Sequence, residues 1–503
     1  MLKKLCQSLG LASIILVFNY GDLLGGGADV RMHTPFSLAH ICYAHIVDIL
    51  LLTVLLFLLL TLVARTRFYP WVRLLLAIVL PPYLLQRTQS INPFNLIEAM
   101  VALFLVLWAA IVMFLFLRFA NWYRRLLRTG SFVTVALALF ALASVAQLLW
   151  VASWKPLPNQ ITANWASTPQ PSRQHPLIVW IVFDELSYDQ IFEHRAPGLP
   201  LPNFDALRAQ STLFTNTQSI GIHTVKVIPS LLTGNLVDGI RYTFRNRLWV
   251  HHPDGSGRQL IDGPGSVFGD AVQSGWRTAA VGWYNPYCSL YAPDIQNCYW
   301  TDHDMQDGPM SQSATLSANI ASPLQQLAVE LVSPARADRD LCAYDLRLRH
   351  LTQIDLQQHA LQLLRTDQAD FVFLHLSAPH SPNTWSRAQN GFTNQCGSSY
   401  LDNLALTDRV LGQLLAILQS SPRWSQTALI VQGDHGWRTA MWRGLPAWTA
   451  EDEQASRGIF DPRPALLIHQ PAQSQPQTVS APWSIVQVHS VVEQLLHHQP
   501  PSF

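Results

Sequence analysis

Hydrophobic patterning changes character at residue 153. Before it, apolar positions come in long runs, at 9–24, 38–63, 71–85, 94–117 and 132–151. A helix that crosses a bilayer needs about 20 such residues. The second, fourth and fifth runs have that length. Asn19 and Asp22 interrupt the first, and the third is short and carries Pro81-Pro82, which suits a re-entrant segment as well as a span. No small-residue cleavage site follows the first run, so it does not read as a signal peptide. His40, His45, Asp48 and Glu98 lie in or beside these runs. Ionisable groups there are functional candidates, and equally groups bonded to neighbouring helices.

The placement of Lys and Arg sets an orientation. Lys3 and Lys4 precede the first run. Arg65, Arg67 and Arg73 lie between or beside the second and third, and Arg118, Arg124, Arg125 and Arg128 between the fourth and fifth. The alternate loops carry only Arg31 and Arg87. About five spans, with the N-terminus inside and everything after Trp154 outside, fit this alternation. The expectation is a multi-pass protein of the inner (plasma) membrane with a periplasmic or extracellular domain.

Residues 154–176 are rich in Pro, Asn, Gln and Ser and read as a linker. Beyond it, strand and helix signals alternate. The run 176–183 is apolar throughout, as in a strand buried on both faces. A helix is expected over 203–210, and a helix over 266–273 followed by a strand over 277–283. Further strands are expected over 370–376, 427–432 and 464–469, and helices over 354–365, 400–419 and 484–497. Leu401, Leu404, Val410, Leu411, Leu414, Leu415 and Leu418 follow a helical period. This alternation predicts an α/β domain with a mostly parallel central sheet, whose ligands bind at the carboxyl ends of strands. The expected organisation is a transmembrane helix bundle over 1–153, a linker over 154–176 and a catalytic domain over 177–503.

Composition supports this division. The chain is 49% apolar and 13% charged, too apolar for a wholly soluble protein. Its net charge of +1 gives no basis for nucleic-acid binding. Cys288, Cys298, Cys342 and Cys396 lie in the polar part. An even number in an exported domain suggests disulfides, and pairing Cys288 with Cys298 and Cys342 with Cys396 is the easiest of three arrangements.

Candidate chemistry gathers around 221–234, Gly-Ile-His-Thr-Val-Lys-Val-Ile-Pro-Ser-Leu-Leu-Thr-Gly. The pattern suits a turn into a helix that starts at Thr224. Free N–H groups there favour an anion, and a metal makes a threonine hydroxyl nucleophilic. The same residue serves equally as a helix cap. Asp184-Glu185 ends one expected strand, His375 to His380 ends another, and Gly433-Asp434-His435-Gly436 follows a third. Singly, each is an ordinary cap or turn. Together they put carboxylates, imidazoles and a hydroxyl at one sheet edge. Mixed oxygen and nitrogen ligands suit Zn²⁺ or Mn²⁺ better than Mg²⁺.

These pieces, in this order and spacing, resemble the sulfatase-like branch of the alkaline phosphatase superfamily over 176–497. With the apolar N-terminal part, the whole chain is similar to membrane-anchored phosphoethanolamine and phosphoglycerol transferases. The resemblance implies one divalent metal held by Glu185, Thr224, Asp434 and His435 with help from Asp184. Zn or Mn is the favoured ion, with Mg or Ca as further options. Thr224 would be the nucleophile, His380 would meet the phosphoryl oxygens or the leaving group, and His375, Lys226 and Arg443 would be substrate-binding. Implied partners are a phospholipid donor, a glycan or lipid acceptor and the membrane.

Two departures change the picture. Sulfatases need Cys or Ser at the nucleophile position, then Pro and Arg two and four residues later, whereas this chain has Thr224, Lys226 and Ile228. Threonine cannot become formylglycine, so sulfate-ester hydrolysis is not expected. The transferases often carry His-Gly-Leu-Pro after the Asp-His pair, where this chain has Arg443-Gly-Leu-Pro. The expected activity is transfer of a phospholipid head group. A phosphodiesterase using water and an inactive membrane scaffold are the alternatives.

Overall fold

The computed structural model describes residues 1–24, 37–87, 98–154, 158–163, 175–242, 248–255, 258–261, 265–301, 315–332, 334–445 and 447–503. The chain divides into two compact units, Met1–Arg31 with Phe36–Pro156 and Asp307–Pro334, and the remainder.

In the first unit the apolar runs fall on helices α1 (Leu2–Leu24), α2 (Leu38–Val63), α3 (Tyr69–Arg87), α4 (Glu98–Arg118) and α5 (Ala120–Ala152). Ala12, Leu16 and Tyr20 of α1 pack with Ile41 and Ile49 of α2 and Leu148 and Val151 of α5. Gly10 permits the close approach, since a Cβ there would sit 2.5 Å from the Thr134 carbonyl oxygen of α5. Leu327, on helix Leu316–Val332, packs on the same core. Among the described residues α2 and α5 are long and apolar enough to cross a membrane. The expected bundle of five spans is therefore matched by two helices that meet that standard. Leu50, Leu51, Val54, Leu55 and Leu58 of α2 are exposed, a larger apolar face than water normally meets. His45 and Asp48 are buried in the same helix, and the Glu98 side chain lies outside the described residues.

The second unit is an α/β domain on a mixed, mostly parallel sheet, as the alternation predicts. Its strands are β1 (Gln160–Ile161), β2 (Ile178–Phe183), β3 (Thr212–Phe214), β4 (Thr278–Gly282), β5 (Asn297–Trp300), β6 (Phe371–Leu376), β7 (Ala428–Gly433), β8 (Leu466–His469) and β9 (Gln477–Val479). Their order across the sheet is β1-β5-β4-β6-β2-β7-β8-β3-β9. The central neighbours β4, β6, β2 and β7 are all parallel. Every residue of β2 is buried, which explains its unbroken apolar run. Each large side chain so buried contributes about 1.5–3 kcal/mol. Helix Tyr400–Ser420 covers one face through Leu401, Leu404, Leu411, Leu414 and Leu418, and a reciprocal Ser399–Asp402 capping box sets its start.

Register positions the chemistry. Phe183 of β2 pairs with Leu376 of β6 and with Gly433 of β7. The next residues, Asp184, Ser377 and Asp434, therefore leave the carboxyl edge at one level. A small antiparallel sheet over Gly239–Tyr242, Leu248–His251 and Arg258–Ile261 has no counterpart in the sequence reading.

Candidate active site

Three chain segments converge at this edge. β2 ends at Asp184, and the turn after it is fixed by Tyr400, whose hydroxyl donates to the Glu185 carbonyl at 2.6 Å. Glu185 has φ 65°, in the left-handed region that a residue with a Cβ seldom adopts. β7 ends at Gly433, where a Cβ would lie 2.6 Å from the Leu186 carbonyl oxygen, so only glycine lets the two turns meet. The third segment is helix Thr224–Thr233, which closes at Gly234 with φ 71°.

Thr224 is the first residue of that helix and is buried, yet it does not cap it. His223 holds the cap position and makes no side-chain cap bond. The Thr224 hydroxyl instead lies 2.9 Å from Asp434 Oδ2, 3.1 Å from Asp184 Oδ2 and 3.5 Å from His435 Nε2. Asp434 Oδ1 accepts the backbone N–H groups of Glu185 at 3.0 Å and His435 at 2.8 Å, which orients its other oxygen. His435 Nδ1 lies 3.0 Å from the Gly436 carbonyl oxygen. A carbonyl only accepts, so this bond puts a proton on Nδ1. Nε2 lies 3.3 Å from Asp434 Oδ2 and 3.7 Å from Asp184 Oδ1.

The resulting cluster gathers ligand atoms. Two carboxylates, an imidazole and one hydroxyl share a buried space. Among the described residues neither Asp184 Oδ1 nor His375 Nε2 has a hydrogen-bond partner. Asp184, His375 and Asp434 place ligand atoms within 4.8 Å of one another. Burial first, then the Asp434 charge, raises the Asp184 carboxyl well above its usual range. The donor set fits one divalent cation, and Thr224 Oγ1, Asp184, Asp434, His435 and His375 are the residues in position to hold it.

Other expected residues sit elsewhere. Both oxygens of Glu185, expected as a metal ligand, are engaged away from the cluster. Arg438 Nε donates to Oε1, and Trp442 Nε1 lies 2.8 Å from Oε1 and 3.0 Å from Oε2. His375, expected at the substrate, lies among the metal-binding candidates, and its Nδ1 is 2.7 Å from the Tyr287 hydroxyl. Burial holds it neutral, with a pKa of about 4. His380 is buried beside the site, with Nδ1 bonded to the Ser381 carbonyl, and burial followed by the charges of Arg349 and Arg438 keeps it neutral. Lys226 is two residues past Thr224, so the two side chains leave the helix on different sides. Arg443 pairs with Glu453 at 2.9 Å and bonds Ser456 Oγ at 3.2 Å in a part-exposed position. The structure does not bring it to the cluster.

Sequence reasoning missed a stack of rings and arginines around His380. The His380 ring packs edge-on against Trp283 at 5.5 Å and Trp442 at 5.3 Å. Arg349 lies 4.4 Å over Trp283, and Arg438 lies 5.2 Å over Trp442. Arg438 follows His435 by three residues, so a basic residue in a strand-end loop was its only signal. Arg349 comes from helix Pro334–Thr366 and Trp283 from the loop after β4, and nothing local marks either.

One disulfide lies on this side of the domain. Cys288 and Cys298 are bonded across 5.5 Å between Cα atoms, joining the short helix Tyr287–Leu290 to β5. Cys396 is also disulfide-bonded, and the side chain of Cys342 lies outside the described residues.

Comparison with known proteins gives a family. The sulfatase family model matches residues 176–489, more than half of the chain. No curated protein matches. Similar solved structures include lipoteichoic acid synthase LtaP from Listeria monocytogenes, at 13% identity and TM-score 0.39, covering 64% of this chain and 72% of that one. A phosphonate monoester hydrolase from Agrobacterium radiobacter is 13% identical at TM-score 0.38, covering 64% and 74%. An alkaline phosphatase superfamily protein from Vibrio parahaemolyticus is 15% identical at TM-score 0.38, covering 67% and 68%. With the matched region spanning the ends of β2, β6 and β7, the chain belongs to the sulfatase family.

Proposed function

We propose that the protein is a membrane-anchored, metal-dependent phosphotransferase that moves a phospholipid head group, of the phosphoethanolamine or phosphoglycerol type, to a glycan or lipid acceptor. One observation carries the reading: the Thr224 hydroxyl points at Asp184 and Asp434 instead of capping its helix. Sulfatase-fold proteins bind a divalent metal. Asp184, Thr224, Asp434, His435 and His375 would hold such an ion, which would supply a Lewis acid for the hydroxyl and for phosphoryl oxygens. Zn²⁺ or Mn²⁺ suits this donor set.

Thr224 attacks phosphorus. Its O–P bond forms, the bond to the leaving alcohol breaks, and the departing diacylglycerol carries away one proton. Asp184 and Asp434 are the groups within reach of the Thr224 proton. His380 is neutral, and its Nδ1 is committed to the Ser381 carbonyl, so its free lone pair suits removal of a proton from the acceptor hydroxyl. The acceptor oxygen then forms its bond to phosphorus as the Thr224 O–P bond breaks, and a proton equal to the one His380 took returns to the Thr224 oxygen. Resemblance suggested His380 as an aid to the leaving group, but the proton placement favours the second step.

The apolar face of α2 and the length of α5 support a membrane anchor beside a lipid donor. The arginine alternation supports about five spans with the catalytic domain on the periplasmic or extracellular side of the inner membrane. An assay of the full chain in lipid vesicles tests the reading. Metal-dependent turnover of a phosphodiester and little of a sulfate ester is expected, and efficient sulfate release contradicts it. A reporter fused after Trp154 should be exported and one fused at 120–130 cytoplasmic.

A further inference from the structure

Arg438 is 6% exposed, in the loop that leaves β7. Its Nε donates to the Glu185 carboxylate, and its Nη1 donates to the Ile222 carbonyl at 3.2 Å, two residues ahead of Thr224. The remaining nitrogen, Nη2, is buried and has no hydrogen-bond partner among the described residues. Glu185 accepts from Arg438 only through Nε, and its carboxylate also accepts from the Trp442 indole. The guanidinium is planar, so fixing Nε and Nη1 also fixes the direction of Nη2. The charges of Glu185, Asp184 and Asp434 act on Arg438, and its own charge acts on His380. Arg438 therefore sits inside the field of the candidate active site with one donor group unused.

We propose that Arg438 Nη2 donates to a phosphoryl oxygen of the substrate, and that Glu185 is the positioning residue that aims it and not a metal ligand. The inference rests on the phosphotransferase reading of this site. A guanidinium donating to a tetrahedral oxyanion forms a short charge-assisted bond, stronger than a neutral one. The left-handed backbone at Glu185 gives the division of labour. Asp184 stays with Asp434 at the metal cluster, while its neighbour turns to Arg438 and Trp442. Thus one Asp-Glu pair serves two different partners.

The test uses the full chain in detergent, loaded with Mn²⁺, with inorganic phosphate as the probe. Metal content and phosphate affinity are measured on the native protein and on Arg438→Gln, Arg438→Lys and Glu185→Gln. Arg438→Gln should keep its metal and bind phosphate about ten-fold or more weakly, as expected for loss of a charged hydrogen bond. Arg438→Lys keeps the charge but not the fork and should also weaken binding, which covers the case in which Arg438→Gln fails to fold. Glu185→Gln should keep its metal and bind phosphate several-fold more weakly. Phosphate affinity unchanged in both Arg438 variants, or metal lost from Glu185→Gln as from Asp434→Ala, overturns the inference and leaves the Thr224 chemistry standing. A native protein that takes up neither metal nor phosphate contradicts the phosphotransferase reading itself and Arg438's role with it.

Discussion

Thr224 and Asp434, 210 residues apart in sequence, lie with hydroxyl and carboxylate 2.9 Å from each other, both buried at the carboxyl edge of the sheet. Asp184 stands on the other side of the same hydroxyl at 3.1 Å. Two buried carboxylates and the His435 imidazole crowd one hydroxyl, a donor set that suits a cation.

Metal analysis of the purified protein should therefore find about one divalent ion per chain, lost in Asp434→Ala. The effect depends on pH in a stated direction. Burial, and then Asp434, raises the Asp184 carboxyl above 3.8. Without metal, the contribution of this group to stability is full below about pH 4 and falls as pH rises through the raised value. A bound ion replaces that proton, so the metal-induced rise in Tm should grow as pH rises from about 4 through the interval in which the raised carboxyl ionises. A metal effect on Tm that shrinks across that interval argues against the site.

Tyr287 links the disulfide to the cluster. The Cys288–Cys298 bond anchors the short helix that starts at Tyr287, and the Tyr287 hydroxyl holds His375 at 2.7 Å. Gly282 leaves room for the Tyr287 ring, which a Cβ there would overlap. Replacing both cysteines by serine should cost about 2–3 kcal/mol, read by denaturant unfolding. Tyr287→Phe keeps ring and disulfide, and should weaken metal binding or activity about ten-fold, the usual scale for a group that orients a ligand. Native metal affinity and activity in Tyr287→Phe would remove this link.

Stability at the opposite edge rests on a different pair of charges. Asp370 accepts from Arg423 at 2.9 Å and from Arg277 at 2.8 Å, with Arg423 and Asp370 both buried. Asp370→Ala leaves the Arg423 charge buried with less compensation and should cost about 3 kcal/mol or more in unfolding free energy. Metal content should not change in this variant, since Asp370 precedes β6 at the end away from the cluster. A loss below about 1 kcal/mol would mean that water replaces the pair.

The sequence carried the parts of this account that depend on local pattern. An unbroken apolar run marked β2, and a helical period of leucines marked Tyr400–Ser420, because each is dictated by which faces are buried. Asp184, Thr224 and Asp434 were legible because strand ends at one edge of a parallel sheet must meet, and the register makes them meet. Glu185 was not, since its direction depends on one left-handed backbone angle and on a distant Arg438. Trp283, Arg349 and Tyr287 were invisible for a similar reason. They come from a loop, a long helix and a short helix that only tertiary packing brings to His380 and His375. Arg443, expected at the substrate from its place in a motif, pairs with Glu453 at 2.9 Å, a partner that its motif does not reveal. Two helices among the described residues meet the standard for a span, because length and composition together are more demanding than a run of apolar letters.

The central claim is that Thr224 forms a covalent bond to phosphorus, and mass spectrometry of the Thr224 peptide after incubation with phospholipid vesicles tests it most directly. Native protein with its metal should show a head-group phosphate on Thr224 that disappears when an acceptor alcohol is added. Thr224→Ala should show no adduct while keeping the fold, and Thr224→Ser should keep some activity because it keeps the hydroxyl. Full phosphodiester turnover by Thr224→Ala, with no adduct on the native protein, would contradict the account.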